Sequence, residues 1–223
     1  MLPLKDDIPS KTFPIATISI MVVNVLVFLY ELSLGPQVET LFKTAGIIPE
    51  KIIRLGLPRG FFPILTAMFL HGGFMHLFGN MLYLWIFGDN VEDVMGHFRF
   101  LIFYLLCGFI ASFTHIISAI NSAIPSIGAS GAIAGVLGAY FLLYPKARIL
   151  TLIPLGFFLR IVRLPAIIVL GMWIVIQLFY GFLTLPGAAK TGGIAWFAHI
   201  GGFFAGLLLV KIFQKRKKVR FEL

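Results

Sequence analysis

Charge is what this chain has least of: 12% of its 223 residues are Asp, Glu, Lys or Arg, and 59% are hydrophobic. Soluble globular domains carry about 25% charged residues, so a water-soluble domain is excluded and an integral membrane protein is defined. Acids are scarcer still. All nine, Asp6, Asp7, Glu31, Glu39, Glu50, Asp89, Glu92, Asp93 and Glu222, fall outside the long apolar runs or near their ends. No acid is therefore placed deep in a span to complete a Ser-His-Asp triad, and there is no intramembrane aspartate pair. The single cysteine, Cys107, sits in an apolar run, which rules out an internal disulfide. No H-E-x-x-H run occurs, so neither a metal nor another cofactor is expected. Internal repeats and low-complexity segments are absent. The first eleven residues lack the basic start and small-residue cleavage site of a signal peptide, so the first apolar run is expected to be a retained span.

Apolar runs are what the chain does have. At about 20 residues per crossing, six candidate spans appear, near 13–33, 62–88, 98–120, 128–144, 165–186 and 194–213. The expectation is an all-α membrane protein, one six-helix bundle covering residues 1–223, with a basic tail at 214–223. The run Ile149 to Leu159 is too short to cross and is expected at the interface. The segment 34–61, long and partly apolar through Ile47, Ile48, Ile52 and Ile53, is expected to dip into the outer leaflet.

Six spans put both termini on one side. With the termini inside, thirteen of the 18 Lys and Arg residues lie on the inner side, and Lys43, Lys51, Arg54, Arg59 and Lys190 lie outside. That asymmetry predicts a multi-pass protein, expected in a prokaryotic cytoplasmic membrane, with both termini cytoplasmic. The net charge of +9 is concentrated beside spans, notably at Lys211 and from Lys215 to Arg220. It reads as an anchor to anionic lipid, with no nucleic-acid partner.

Polar side chains inside these spans are few, and their depths agree. With a rise of about 1.5 Å per residue, Ser130 lies roughly 21 Å above the inner surface, and His199 and His76 each roughly 18 Å. Three helices thus bring polar groups to one level, about 10 Å below the outer face of a core roughly 30 Å thick. A hydroxyl and an imidazole in hydrocarbon are costly, and together they are the nucleophile and base of an acyl-transfer enzyme. Ser130 is flanked by Gly128 and Gly131, and His199 is followed by Gly202 and Gly206. The pairs Gly131 with Gly135 and Gly202 with Gly206 form small-residue faces that let helices approach closely. His76 and Asn80, four apart, share a helix face and can both donate to an oxyanion. His71 reads as a structural hydrogen-bonder. His97, in a turn, and His115, with no motif around it, are set aside.

The runs His71-Gly72-Gly73-Phe74-Met75-His76 with Asn80, Gly128-Ala129-Ser130-Gly131, and Ala198-His199 with Gly202 and Gly206 resemble the rhomboid intramembrane serine proteases. Order, spacing and span assignment agree from the first span to the sixth. The resemblance implies a rhomboid six-helix bundle in which Ser130 is nucleophile and His199 is base, with His76, Asn80 and the Ser130 N–H binding the oxyanion. It implies single-span membrane proteins as substrates, cut near the outer face after a small residue. It further implies a gate in the fifth span, with Trp173, Phe179, Tyr180 and Phe182, and the loop Leu185 to Ala195 is a candidate lid. Two departures stand out: Phe62 and Pro63 replace a Trp-Arg pair common in the family's first outer loop, and Ala134 replaces a tyrosine that stacks on the catalytic imidazole in some members. The competing readings are a catalytically silent relative that binds other spans, which would have lost the serine or histidine, and a small transporter, which calls for an internal repeat.

Overall fold

Long apolar runs become helices because backbone N–H and C=O groups in hydrocarbon must be satisfied within the segment. The computed structural model describes residues 1–155, 158–184 and 194–215. In chain order the elements are β1 (Leu2–Lys5), α1 (Ile15–Ser33), α2 (Val38–Ala45), α3 (Pro49–Leu55), α4 (Leu57–Thr66), α5 (Phe74–Met95), α6 (His97–Ser118), α7 (Ser130–Leu143), β2 (Arg148–Leu155), β3 (Phe158–Pro165), α8 (Ala166–Thr184) and α9 (Trp196–Phe213). Helices α1, α6, α8 and α9 are each long and apolar enough to cross a membrane. With α5 and the shorter α7 they make the six-helix bundle.

The second predicted span needs correction. The helical stretches Gly60–Phe69 and Phe74–Met95 meet at an 84° bend, so 62–88 is not one straight helix. The crossing helix is α5, and its last two turns carry Asp89, Glu92 and Asp93. Asp89 and Asp93 stay partly exposed, while Glu92 is buried, which is tolerated because its carboxylate accepts hydrogen bonds. Glu92 is fully buried and accepts from the Ala16 N–H (2.9 Å), the Thr17 N–H (2.8 Å) and the Thr17 hydroxyl (2.6 Å). These are first-turn donors of α1 that have no intrahelical acceptor, so a side chain of α5 caps α1. Its other partner is the ring of His97, at 2.5 Å, at the start of α6.

Helix α7 sits at the centre, and every residue from Gly131 to Tyr140 is buried. Fourteen residues reach only about 21 Å, short of the hydrocarbon thickness, so the N-terminus of α7 is recessed. The connection in front of it closes against the outer segment through the bridge between Ile47 and Ser126. There Ile47, Ile52, Ile64, Ala67 and Ile116 form a satellite core, which accounts for part of the apolar content of 34–61; Ile53 is exposed. Phe61 of α4 stacks on Phe109 of α6 at 5.2 Å, so the outer segment is anchored one residue before Phe62.

At the opposite end lies a three-stranded antiparallel sheet, ordered β1-β2-β3, which the all-helical expectation did not contain. Of the run 149–159, residues 149–155 belong to β2 and 158–159 to β3, and around the start of β2 Ala147, Ile149 and Thr151 are buried while the residues between them are not, the period-two alternation of a half-covered sheet. Residues 1–12 cross this end as a strap. Asp93 accepts from the Lys11 N–H (2.5 Å) and Thr12 N–H (3.0 Å), Ser10 bonds to Asp89, and Asp6 accepts from the Tyr140 hydroxyl (2.6 Å) and the Asn90 amide (3.0 Å). Burial, opposed by the Tyr140 hydrogen bond and reinforced by Asp89 and Asp7, raises the Asp6 pKa from 3.8 to about 6. The folded protein therefore holds this proton more tightly than the unfolded chain. Its stabilisation is complete below 3.8 and is lost as pH rises through about 6. Thermal midpoints in detergent should fall over that interval, and Asp6→Asn should flatten the fall; an unchanged slope would remove Asp6 as its cause.

Candidate active site

The site is assembled by two helices whose backbones touch. A Cβ on Gly202 of α9 would overlap the Gly131 carbonyl oxygen of α7, and one on Gly206 would overlap that of Gly135. Only a glycine-lined crossing permits such contact. It sets His199 beside Ser130, the first residue of α7, and the Ser130 hydroxyl donates to His199 Nε2 at 2.7 Å. The turn into α7 is set by Gly128, which has φ +131° and donates its N–H to the Ala67 carbonyl at 2.8 Å. A side chain there would meet a second obstacle, because its Cβ would lie 2.7 Å from His76 Nε2.

The protonation of both rings follows from their other partners. The Gly72 N–H donates to His76 Nδ1 at 3.3 Å, so the His76 proton sits on Nε2, the atom beside Gly128. On His199, Nδ1 donates to Gln177 Oε1 of α8 at 2.7 Å, which leaves Nε2 as an acceptor for the serine. Trp173, one turn earlier on α8, packs its ring 5.8 Å from the imidazole at 34°. This indole covers the ring from α8, and Ala134 is fully buried in the bundle core.

A cavity of about 580 Å³ opens on these groups, lined by His76, Ser130 and His199 together with Ser112, His115 and Ser126. Asn80 is buried one turn further along α5, does not line the cavity, and donates Nδ2–H to the His76 carbonyl at 3.0 Å. His71, 1% exposed, lies behind His76: its N–H donates to the Glu31 carboxylate at 3.0 Å, and its ring meets that of His76 edge-on at 5.1 Å. It ties the end of α1 to the bend before α5. No group of three His, Cys, Asp or Glu able to hold a metal occurs among the described residues. Residues 185–193 of the candidate lid and 216–223 of the basic tail lie outside the described residues; Ile194 and Ala195 line the cavity.

His115 and Gln177 were missed by the sequence reading. His115 belongs in the cavity wall, and with Ser112 it forms a polar i, i+3 pair on a face of α6 shared with Gly108 and Ala111. Gln177 lies eight residues before Leu185, about 12 Å below the outer end of its span. The depth argument that grouped Ser130 with His199 reaches this amide too. A hydroxyl donating to a neutral imidazole, itself oriented by a third group, is the resting arrangement of a base-activated nucleophile.

Comparisons with known proteins place this architecture. The Rhomboid domain family model matches residues 58–216. The chain is 38% identical over 148 residues to Rhomboid protease GluP of Bacillus subtilis, covering 66% of this chain and 25% of that protein. It is 30% identical over 176 residues to RHOMBOID-like protein 5 of Arabidopsis thaliana, covering 79% and 50%. To Rhomboid protein 1, mitochondrial, of Saccharomyces cerevisiae it is 29% identical over 167 residues, covering 71% and 45%. The chain thus spans a quarter to a half of the length of these relatives. Bundle and apolar helices together define an integral, multi-pass membrane protein. The chain belongs to the rhomboid family.

Proposed function

We propose that the protein is an intramembrane serine endopeptidase that works with a Ser130–His199 dyad. The observation that carries this reading is the 2.7 Å hydrogen bond from the Ser130 hydroxyl to His199 Nε2, at a recessed helix N-terminus that opens on a cavity. His199 Nε2 takes the hydroxyl proton as Ser130 Oγ attacks a peptide carbonyl carbon. The oxyanion is met by His76 Nε2–H and by the Ser130 N–H, a first-turn donor without an intrahelical acceptor. Asn80, buried one turn behind with an amide N–H on the His76 carbonyl, supports His76 from outside the cavity wall. Collapse expels the amine, which leaves with the proton from His199. The acyl-enzyme is then hydrolysed by a water that His199 deprotonates.

Substrates are single-span membrane proteins whose helix unwinds near the outer surface, because a helical peptide keeps its carbonyls bonded. The protein resides in a cytoplasmic membrane with both termini inside, the basic flanks facing anionic lipid. The test is labelling of purified protein by a fluorescent fluorophosphonate, beside Ser130→Ala and His199→Ala. Labelling of the wild type alone supports the dyad. Equal labelling of all three folded proteins, or none, overturns it in favour of a silent, span-binding relative.

A further inference from the structure

Gln177 has a position that the dyad does not require. It is 94% buried, by its 6% exposure, on the stripe Val169, Leu170, Ile174, Gln177 and Gly181 that α8 turns toward the bundle. An amide in that setting is costly unless bonded. Its oxygen lies 2.7 Å from His199 Nδ1, on the far side of the ring from Ser130. A carbonyl oxygen only accepts, so Nδ1 must carry the proton and Nε2 must present its lone pair to the serine. The opposite tautomer would aim an N–H at the hydroxyl and leave no base.

We infer that Gln177 is a positioning residue for this reaction, a neutral third member that holds His199 in the productive tautomer and ring orientation. The inference rests on the dyad proposed above. Its neutrality matters. The other titratable groups facing the imidazole are His76 from α5 and His115 from α6, and no Asp, Glu, Lys or Arg lines the cavity among the described residues. Gln177 therefore orients the base without the charge that a carboxylate would add. Because the acceptor is carried by α8, while Ser130 and His199 belong to α7 and α9, the base is aligned only while α8 is packed on them. Trp173, on the same helix, covers the ring one turn away.

The experiment measures the second-order rate of fluorophosphonate labelling against pH for wild type, Gln177→Leu and Gln177→Glu, with a thermal midpoint for each. Gln177→Leu keeps the bulk and removes the acceptor, and the labelling rate should fall by roughly 10- to 100-fold, less than the roughly 10⁴-fold seen when a triad histidine is locked in the wrong tautomer. Gln177→Glu restores an acceptor with charge. It should recover much of the rate at high pH, with the acid limb moved upward by about 1–3 units, as a carboxylate beside an imidazole stabilises the imidazolium. A role in packing alone would lower the midpoint of Gln177→Leu and leave the labelling rate of its folded fraction at the wild-type value. If Gln177→Leu unfolds, Gln177→Met replaces it as the acceptor-free variant: a lowered labelling rate in folded protein, with recovery in Gln177→Glu at high pH, and the inference holds; a wild-type rate, and it is overturned. Wild-type labelling with unaltered profiles in both variants overturns the role of Gln177 and leaves the dyad standing. Failure of the wild type to label overturns the dyad, and this inference with it.

Discussion

Gly202→Val should strongly destabilise the bundle. The Cβ it introduces falls on the Gly131 carbonyl oxygen and close to the Ala134 methyl. The obstacle is helix backbone, which cannot rotate away as a side chain can, so α7 and α9 must separate. Overpacking a core costs about 1–3 kcal/mol even where side chains can adjust, and a backbone obstacle belongs at or above the top of that range. At roughly 2–4 °C per kcal/mol for a chain of this size, the thermal midpoint should fall by about 10 °C or more. Separation also lengthens the Ser130–His199 hydrogen bond, so fluorophosphonate labelling should be lost even in molecules that remain folded. Gly171→Val, on α8, is the matched control. Its Cβ would meet only the Phe141 ring, at an ordinary contact distance of 3.8 Å. Size-exclusion profiles and melting curves in detergent compare the two, and a Gly202→Val protein as stable as Gly171→Val would show that the helices do not touch there.

Ser130→Ala and His199→Ala should each reduce cleavage of a single-span reporter in vesicles to the assay floor, a loss of roughly 10⁴- to 10⁶-fold by analogy with other serine nucleophiles and their bases. The double variant should be no worse than either single one, because nucleophile and base act as a unit. Ser130→Ala removes one hydroxyl from a cavity wall, so its melting curve should match that of the wild type. Residual cleavage by Ser130→Ala equal to wild type would show that Ser130 is not the nucleophile, and undiminished cleavage by His199→Ala would show that the serine is not activated through this histidine.

How much of this was readable beforehand depended on which quantities are local. Depth along a helix is local, since each residue advances about 1.5 Å whatever surrounds it, and so Ser130, His199 and His76 could be set at one level from the sequence. Rotation about the helix axis is not local. It is decided by packing, and for that reason His115, turned into the cavity from α6, was set aside, and Gln177 was not noticed at all. The same limit applies to Asn80. Sharing a face with His76 did not reveal that its amide would bond back to the His76 carbonyl. Strand pairing is less local still: β1 begins at Leu2 and finds its partner at Leu152, and a count of apolar residues from 149 to 159 registers length but not alternation.

By itself, then, the sequence determined the membrane class, the six apolar helices and the glycine faces, because hydrophobic length and side-chain size are properties of the residues themselves. Only the tertiary structure decided that α5 is bent away from its predecessor, that an acid of α5 caps α1, and that an amide and an indole from α8 surround His199 where no acid was available. Those are contacts between residues 22 to 76 positions apart, and such contacts exist only once the helices have been rotated and packed against one another.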